Sequence, residues 1–288
     1  MEFIESLRSA YPLAIICSAL KMTTSAYYAA KRRGENTREH EDARMLIEIR
    51  NHFVFHKKRY GSTRMANVYF GSGRRRRIAR LMRQANLVSV HTKKYRPMQY
   101  EAAPPERCYA NVVNRNFTVD RPNAVWVTDI TYVWTYEGWL YVAAVIDLYS
   151  RAVVGLAMSH RIDADLATAA MSQAVMHRKP PKDLVCHSDR GCQYTSELYR
   201  AFLSAHDFVG SMSRKGNCWD NAVAESFFRT LKVEQTNRFM YRTREQARSS
   251  VFEYVEIYYN RQRAHSACRY ATPFEYEKRT EQTINNVH

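Results

Sequence analysis

Apolar positions along this chain follow two periods, and the change between them falls about a third of the way in. Up to roughly residue 90 the spacing is helical. Between Tyr11 and Arg33 two short helices are expected, with Leu13, Ile16, Cys17 and Leu20 on one face of the first. Lys21-Met22-Thr23 forms the turn, and Thr23 or Thr24 caps the second helix. That is helix-turn-helix spacing, and a plain helical hairpin accounts for it equally well. Residues 41–58 predict a helix with Ala43, Leu46, Ile47 and Ile49 as its apolar positions, and a short helix begins near Ser62. After the GSG turn at 71–73, RRRRIARLMRQANL places Ile78, Leu81, Met82 and Ala85 at i, i+3, i+4 and i+7.

From residue 124 the pattern becomes dense runs of β-branched and aromatic residues. AVWVTDITYVW (124–134), LYVAAVIDLYS (140–150) and RAVVGLAMSH (151–160) predict three consecutive strands. Residues 163–178 predict an amphipathic helix, and LVCHSDRG a fourth strand and its exit. A helix over 196–207, capped by Ser196, precedes the short strand FVGSMS. Helices over 221–235 and roughly 243–264 complete a βββαβαβα order, an α/β fold in which helices flank a mixed five-stranded sheet.

Charge changes the picture of the first third. The net charge is +16, and residues 1–100 carry 21 Lys and Arg against 7 Asp and Glu, a net of +14. The remaining residues carry 23 against 21. A basic block of this kind most often neutralises phosphates. Arg74, Arg75, Arg76, Arg77, Arg80 and Arg83 coat a helix held by one apolar stripe, which suits a DNA groove. The basic HTKKYRP and the polar, Pro-containing MQYEAAPPER then mark a domain boundary near residue 105. The expected organisation is a helical DNA-binding region over 1–105, a core over 106–240 and a helical extension over 241–288.

Other classes are set aside. With 45% hydrophobic and 12% aromatic residues, the chain can bury real cores. No apolar run approaches about 18 residues, so no membrane span is expected. MEFIESLRSA lacks a signal-peptide core, so an intracellular, cytoplasmic protein is expected. Six scattered cysteines without a CxxC pair argue against disulfides and structural zinc. His52 and His56, at i and i+4, lack further ligands beside them and read as packing or surface residues.

Three acids stand out by context. Asp129 lies inside an apolar strand, where a carboxylate is costly unless compensated. Asp189 leaves the next apolar run. On the later helix, Ala224, Phe227, Phe228 and Leu231 form the core stripe, and Asn221, Glu225, Arg229 and Lys232 share the adjacent flank. Three carboxylates converging from two strands and a helix repel one another unless a cation sits between them, and hard oxygen ligands select Mg²⁺ or Mn²⁺. The separation of 35 between Asp189 and Glu225 is weak by itself. Asp147 reads as a strand-end charge and Asp220 as the N-cap of the Glu225 helix. His187 and Gln193 either orient a metal site or support the loop, and most of the 20 tyrosines read as core.

WVTDITY, YVAAVIDLYSRAVVGLAMS, HSDRGCQYTS, NCWDNAVAESFFRTLKVE and YYNRQRAHSACRYATPFEYE, in this order, resemble the motifs of the IS-three family of insertion-sequence transposases, which share the retroviral-integrase core. The resemblance covers nearly the whole chain. It implies an RNase H-like core preceded by an all-α helix-turn-helix region, and a catalytic triad of Asp129, Asp189 and Glu225 holding two Mg²⁺ or Mn²⁺ ions. It implies Lys232 as a contact to the element's terminal DNA, and phosphoryl transfer that cuts and joins DNA ends without a protein nucleophile. The partners implied are double-stranded DNA (terminal inverted repeats and target), other copies of the chain on that DNA, and the upstream reading-frame product as a fusion partner. The location implied is a bacterial cytoplasm, at the nucleoid. Two departures are visible: Lys21 stands where the first turn usually has glycine, and Arg269, in Cys268-Arg269-Tyr270, stands where the late motif has glycine. A pure nuclease on the same core would lack the arginine-coated first third and would usually need a fourth acid. A non-catalytic repressor is disfavoured by the presence of all three acids.

Overall fold

The structure, a computed structural model, describes residues 2–32, 37–92, 108–215 and 217–285. The expected boundary near residue 105 lies outside them, as does most of the basic linker. The first third is helical: α1 (Glu2–Leu7), α2 (Leu13–Ala19), α3 (Thr24–Arg32), α4 (Thr37–Phe55), α5 (Ser62–Met65) and α6 (Arg75–Gln84). Thr23 is the cap of α3, its hydroxyl accepting from the Ala26 N–H at 3.1 Å. Ile4, Ile16, Cys17 and Tyr27 form a small buried cluster, whereas Leu20, expected on that face, is exposed.

A second cluster joins α4 to α6. Its buried positions on α4 are Met45, Ile49 and Phe53, at i, i+4 and i+8; Ile47, expected among them, is 61% exposed. Ile78, Leu81 and Met82 answer from α6 as the periodicity requires. His56 stacks on Tyr60 at 3.7 Å and His52 on Tyr69 at 3.5 Å, so both are packing residues.

The sheet has the order β3-β2-β1-β4-β5. The strands are β1 (Val125–Thr135), β2 (Gly138–Asp147), β3 (Val153–Ser159), β4 (Val185–Ser188) and β5 (Val209–Met212). The first three form an antiparallel meander, and β4 and β5 add in parallel beside β1. The second expected strand ends early because Asp147 anchors a turn, accepting from the N–H groups of Asn123 and Tyr149 at 2.8 Å. β2 is buried on both faces, which explains its unbroken apolar run. Leu140, Val142, Ala144 and Ile146 face α9 (Ala222–Glu234) and α10 (Arg244–Phe252). Ala143 and Val145 face α7 (Ala164–Arg178) and α8 (Glu197–Ala205). Gly155 lets α7 lie close on β3, since a Cβ there would stand 2.2 Å from the Ala170 carbonyl oxygen.

The long helix expected over 243–264 is shorter. α10 opens into wide, π-type turns over Glu253–Tyr259, and α11 (Pro273–Asn285) follows. Arg178 of α7 ties α11 down, reaching Glu277 at 2.6 Å and Asp147 at 3.4 Å. Tyr149 and Thr280 share a further hydrogen bond.

The 37–92 unit is fastened to the core at the end of α9. Arg59 donates to the Glu234 carbonyl and to Gln235, and the Ala264 N–H donates to the Tyr60 hydroxyl. The Glu234 carboxylate is fully buried among Arg263, His91, Tyr254 and, at 3.7 Å, Arg64.

Both departures from the family pattern sit where glycine would be at ease. Lys21 has φ 52° and Arg269 φ 54°, in the left-handed region. A side chain there costs about 1–2 kcal/mol, while glycine's extra freedom when unfolded costs roughly 0.5–1 kcal/mol. Arg269→Gly is therefore expected to stabilise the protein by about 0.5–1 kcal/mol. A denaturant midpoint equal to or below that of the unsubstituted chain contradicts this.

Candidate active site

Two strands and a helix bring the three acids together. β1 and β4 pair in parallel through Val125–Val127, with Val127 opposite His187. Continued by two residues, that register brings Asp129 and Asp189 off adjacent strands at the same level. Glu225 stands in the first turn of α9. The start of α9 is tied to β1 by Asn221, whose side-chain amide donates to the Thr128 carbonyl at 3.3 Å, beside Asp129. The Asn221 Oδ1 is buried and has no hydrogen-bond partner among the described residues.

All three acids are shifted in the same direction. Burial, then the charge of Asp189 and further that of Glu225, pushes Asp129 well above the usual carboxylate range. Burial raises Asp189, and burial followed by the charge of Asp189 raises Glu225. Two backbone donors oppose this. The Ile130 N–H donates to Asp129 Oδ1 at 2.8 Å, and the Gly191 N–H to Asp189 Oδ1 at 2.9 Å. Each bond fixes one oxygen of its carboxylate. A Cβ at Gly191 would stand 2.9 Å from the Gln193 Oε1 and 3.0 Å from the Asp189 Oδ1, so a larger residue there would make these two side chains shift.

The surrounding motif residues take structural roles. His187 is fully buried between Ser211 and Ser213, at 2.9 and 3.3 Å, so it supports the β4–β5 pair. Arg190 donates to the Ser213 carbonyl at 2.7 Å. Tyr194 is buried beside the acids, its hydroxyl 3.2 Å from Thr128 Oγ1; burial and the charges of Asp129 and Asp189 keep its phenol neutral.

One expectation about the other acids needs correction. Asp220 does not cap α9. It is fully buried, with Arg214, Arg115 and Asn111 around it, and the Arg214 hydrogen bonds hold it far below the usual carboxylate range. Asp147 does end a strand, but it is fully buried and paired with Arg178.

The cationic candidates divide. Lys232 lies two helical turns beyond Glu225, with its Nζ 4.5 Å from the centroid of the Tyr132 ring. Arg74, Arg75, Arg76 and Arg83 are exposed. Arg77 and Arg80 are engaged with Asp42, at 2.6 and 2.5 Å, and Arg77 also reaches Glu41.

Among the described residues, no three His, Cys, Asp or Glu side chains are already gathered at metal-ligating distance. The donor set still suits a hard divalent cation: every group is a carboxylate, and the repulsion that raises their proton affinity is what a cation relieves.

Comparison with known proteins gives this geometry a family. The integrase core domain family matches residues 119–218 and again 225–280, spans that hold Asp129 and Asp189 in the first and Glu225 at the start of the second. The transposase InsF of insertion sequence IS3A from Escherichia coli strain K12 is 38% identical over 288 residues, 96% of this chain and 98% of its own. This chain belongs to the IS-three family of insertion-sequence transposases. The 31 kDa protein of insertion element IS600 from Shigella sonnei is 35% identical to the transposase, covering 93% of this chain and 99% of its own. The catalytic core domain of BIV integrase aligns with TM-score 0.42 and 17% identity, over 57% of this chain and 99% of that one. The transposase thus has an RNase H-like integrase core, preceded by a helical region, and belongs to a family of polynucleotidyl transferases acting on DNA. No helix among its described residues is long and apolar enough to cross a membrane.

Sequence reading passed over Glu234, although a signal was present. Glu234 continues the core stripe of the transposase's α9, at i, i+4 and i+7 from Phe227 and Leu231, so a carboxylate there had to be buried. It also passed over the exposed aromatics of the β1–β2 hairpin, Trp134, Tyr136 and Trp139.

Proposed function

We propose that this transposase cuts and joins DNA at the terminal inverted repeats of its insertion sequence, with Asp129, Asp189 and Glu225 as the residues that hold two divalent cations. The observation that carries the reading is the convergence of three carboxylates that burial raises, Asp129 further by the charges of Asp189 and Glu225 and Glu225 by that of Asp189. When bound, Mg²⁺ or Mn²⁺ activates an attacking hydroxyl and neutralises the leaving oxygen. The protein's part is positioning. The Ile130 and Gly191 N–H groups hold one oxygen of each aspartate, and Asn221 fixes the start of α9 against β1. No side chain acts as nucleophile. In the first reaction water breaks a phosphodiester and frees a 3′-hydroxyl. In the second, that hydroxyl forms a new phosphodiester as another breaks, joining the two ends of one element towards a circular intermediate. Nicking of labelled end duplexes by the purified chain with Mg²⁺, and none in EDTA, tests the first reaction; equal nicking in both rejects the metal assignment.

The first third acts as the reader of the ends, and the domain division at about residue 105 belongs to this proposal. The four exposed arginines at 74, 75, 76 and 83 meet phosphates, while Arg77 and Arg80 hold α6 to α4. Four phosphate contacts predict that replacing all four by alanine makes the log–log salt slope of DNA binding shallower by about 3–4. An unchanged slope removes these residues from the interface.

Lys232 lies about 20° around the helix and about 10 Å along it from Glu225, so it meets DNA beside the metals without ligating them. Lys232→Ala is expected to weaken discrimination between element ends and scrambled DNA by about tenfold, and Lys278→Ala, at an exposed position on α11, to leave it unchanged. Equal effects in binding assays make Lys232 a surface charge only.

A further inference from the structure

An aromatic cleft of about 590 Å³ opens where the β1–β2 hairpin meets the chain after α9, a volume in the range of small-ligand sites, about 300–1,000 Å³. Tyr132, Trp134, Tyr136, Trp139, Phe239 and Lys232 line it. Trp139 is the hub of the rings, with centroids 4.8 Å from Trp134 and 4.9 Å from Tyr132, both edge-on. Trp134, Tyr136 and Phe239 are each at least half exposed. A concentration of exposed rings on one patch is costly in water and marks a binding surface.

We propose that this cleft stacks unpaired bases of the DNA strand that is cut or joined at the acidic site. The inference rests on the function proposed above and assigns it a further ligand. Three features select nucleotide bases. The cleft adjoins the acids: Tyr132 and Trp134 follow Asp129 on β1 by three and five residues, about 10 and 17 Å along the strand and on its alternate face, and Lys232 of α9, two turns past Glu225, brings its Nζ over Tyr132 from the acids' side. A DNA end frayed by a few nucleotides spans that distance. The rings come with a cation, Lys232 over Tyr132, and with the polar side chains of Thr236 and Asn237. Aromatic faces beside positive charge are how single strands are held, and the stacking tolerates any base. An apolar protein surface docking here would bury the Lys232 charge, whereas a nucleotide brings a phosphate to it.

The test measures anisotropy of a labelled duplex with a short single-stranded tail, against the same duplex whose tail carries abasic sugars, in EDTA so that nothing is cut. The unsubstituted chain is expected to prefer the tail with bases by about tenfold. Trp134→Leu/Trp139→Leu binds both duplexes alike, at the level the unsubstituted chain shows for abasic DNA. Trp134→Phe/Trp139→Phe, which keeps the rings, retains most of the preference. If the leucine variant keeps the tenfold preference, or loses affinity for both duplexes by one factor, the base-stacking role is overturned. A leucine variant that changes oligomeric mass while keeping the preference makes the cleft an interface between copies, and also overturns it. If the unsubstituted chain binds neither duplex, the DNA-joining function itself fails, and this inference with it.

Discussion

Asparagine in place of Asp129 is expected to raise the melting temperature of the metal-free protein, to remove its stabilisation by Mg²⁺, and to lower DNA joining by at least about a thousandfold. The three effects have one cause. A carboxylate whose proton affinity is higher in the folded than in the unfolded protein opposes folding whenever it is ionised. That cost is present above the folded value and is relieved as the pH falls through it. Asp129, Asp189 and Glu225 all have this sign. At neutral pH the trio therefore destabilises the metal-free chain, and removing one of the three acids gains about 1 kcal/mol, roughly 2–4 °C. A cation supplies the same relief while preserving the charges, so Mg²⁺ at about 100 times its dissociation constant adds about 2.7 kcal/mol to the unsubstituted chain. Thermal melts with and without Mg²⁺, on both chains, check this. Equal Mg²⁺ shifts in the two would remove Asp129 from the metal site.

The second large effect lies far from catalysis in sequence and close to it in structure. Glu234→Ala is expected to destabilise the protein by about 3–5 kcal/mol. Glu234 is fully buried, and Arg263 grips it with bonds of 2.9–3.1 Å, with Tyr254 and His91 completing its partners. Removing the carboxylate leaves Arg263 charged and buried with nothing opposite, and Arg64 nearby adds a like charge. The charge of Arg263 and the bonds from His91 and Arg263 hold Glu234 far below the usual carboxylate range despite burial. Its contribution is therefore complete above about pH 5 and is lost as the pH falls towards the depressed value. Urea denaturation at pH 7 and pH 4 measures both parts: a large loss in the variant at pH 7, and a smaller difference at pH 4. A loss below about 1 kcal/mol at pH 7 contradicts the assignment of Glu234 as the fastening of the helical region to the core.

How much of this was legible in the sequence depends on whether a residue's partner is local. The strands of the meander were readable because β2 is buried on both faces and its apolar run is unbroken. Asp129 and Asp189 were readable because an acid in or beside an apolar strand needs a reason wherever its partner lies. Asp220 misled because it immediately precedes a helix, where capping is the local expectation. Arg115, 105 residues away, and the nearby Arg214 claim it instead. Glu234 is the same case at longer range: its carboxylate meets His91, 143 residues before it, and Arg64. Periodicity shows that a position faces inward and is silent about which distant arginine meets it there. Lys21 and Arg269 differ again. The family comparison marked both as glycine positions, and only the backbone shows that both take the left-handed conformation glycine favours.

The most direct test of the central claim is a joining assay on DNA from the two flanks of the coding region, with purified full-length chain and Mg²⁺. The unsubstituted chain should convert labelled ends into a joined product, and Asp129→Asn, Asp189→Asn and Glu225→Gln should each bind the same DNA with near-unchanged affinity and form none. Joining at an undiminished rate by any one of the three variants, or by the unsubstituted chain in EDTA, would contradict the assignment of these acids as the metal-holding centre of the transposase.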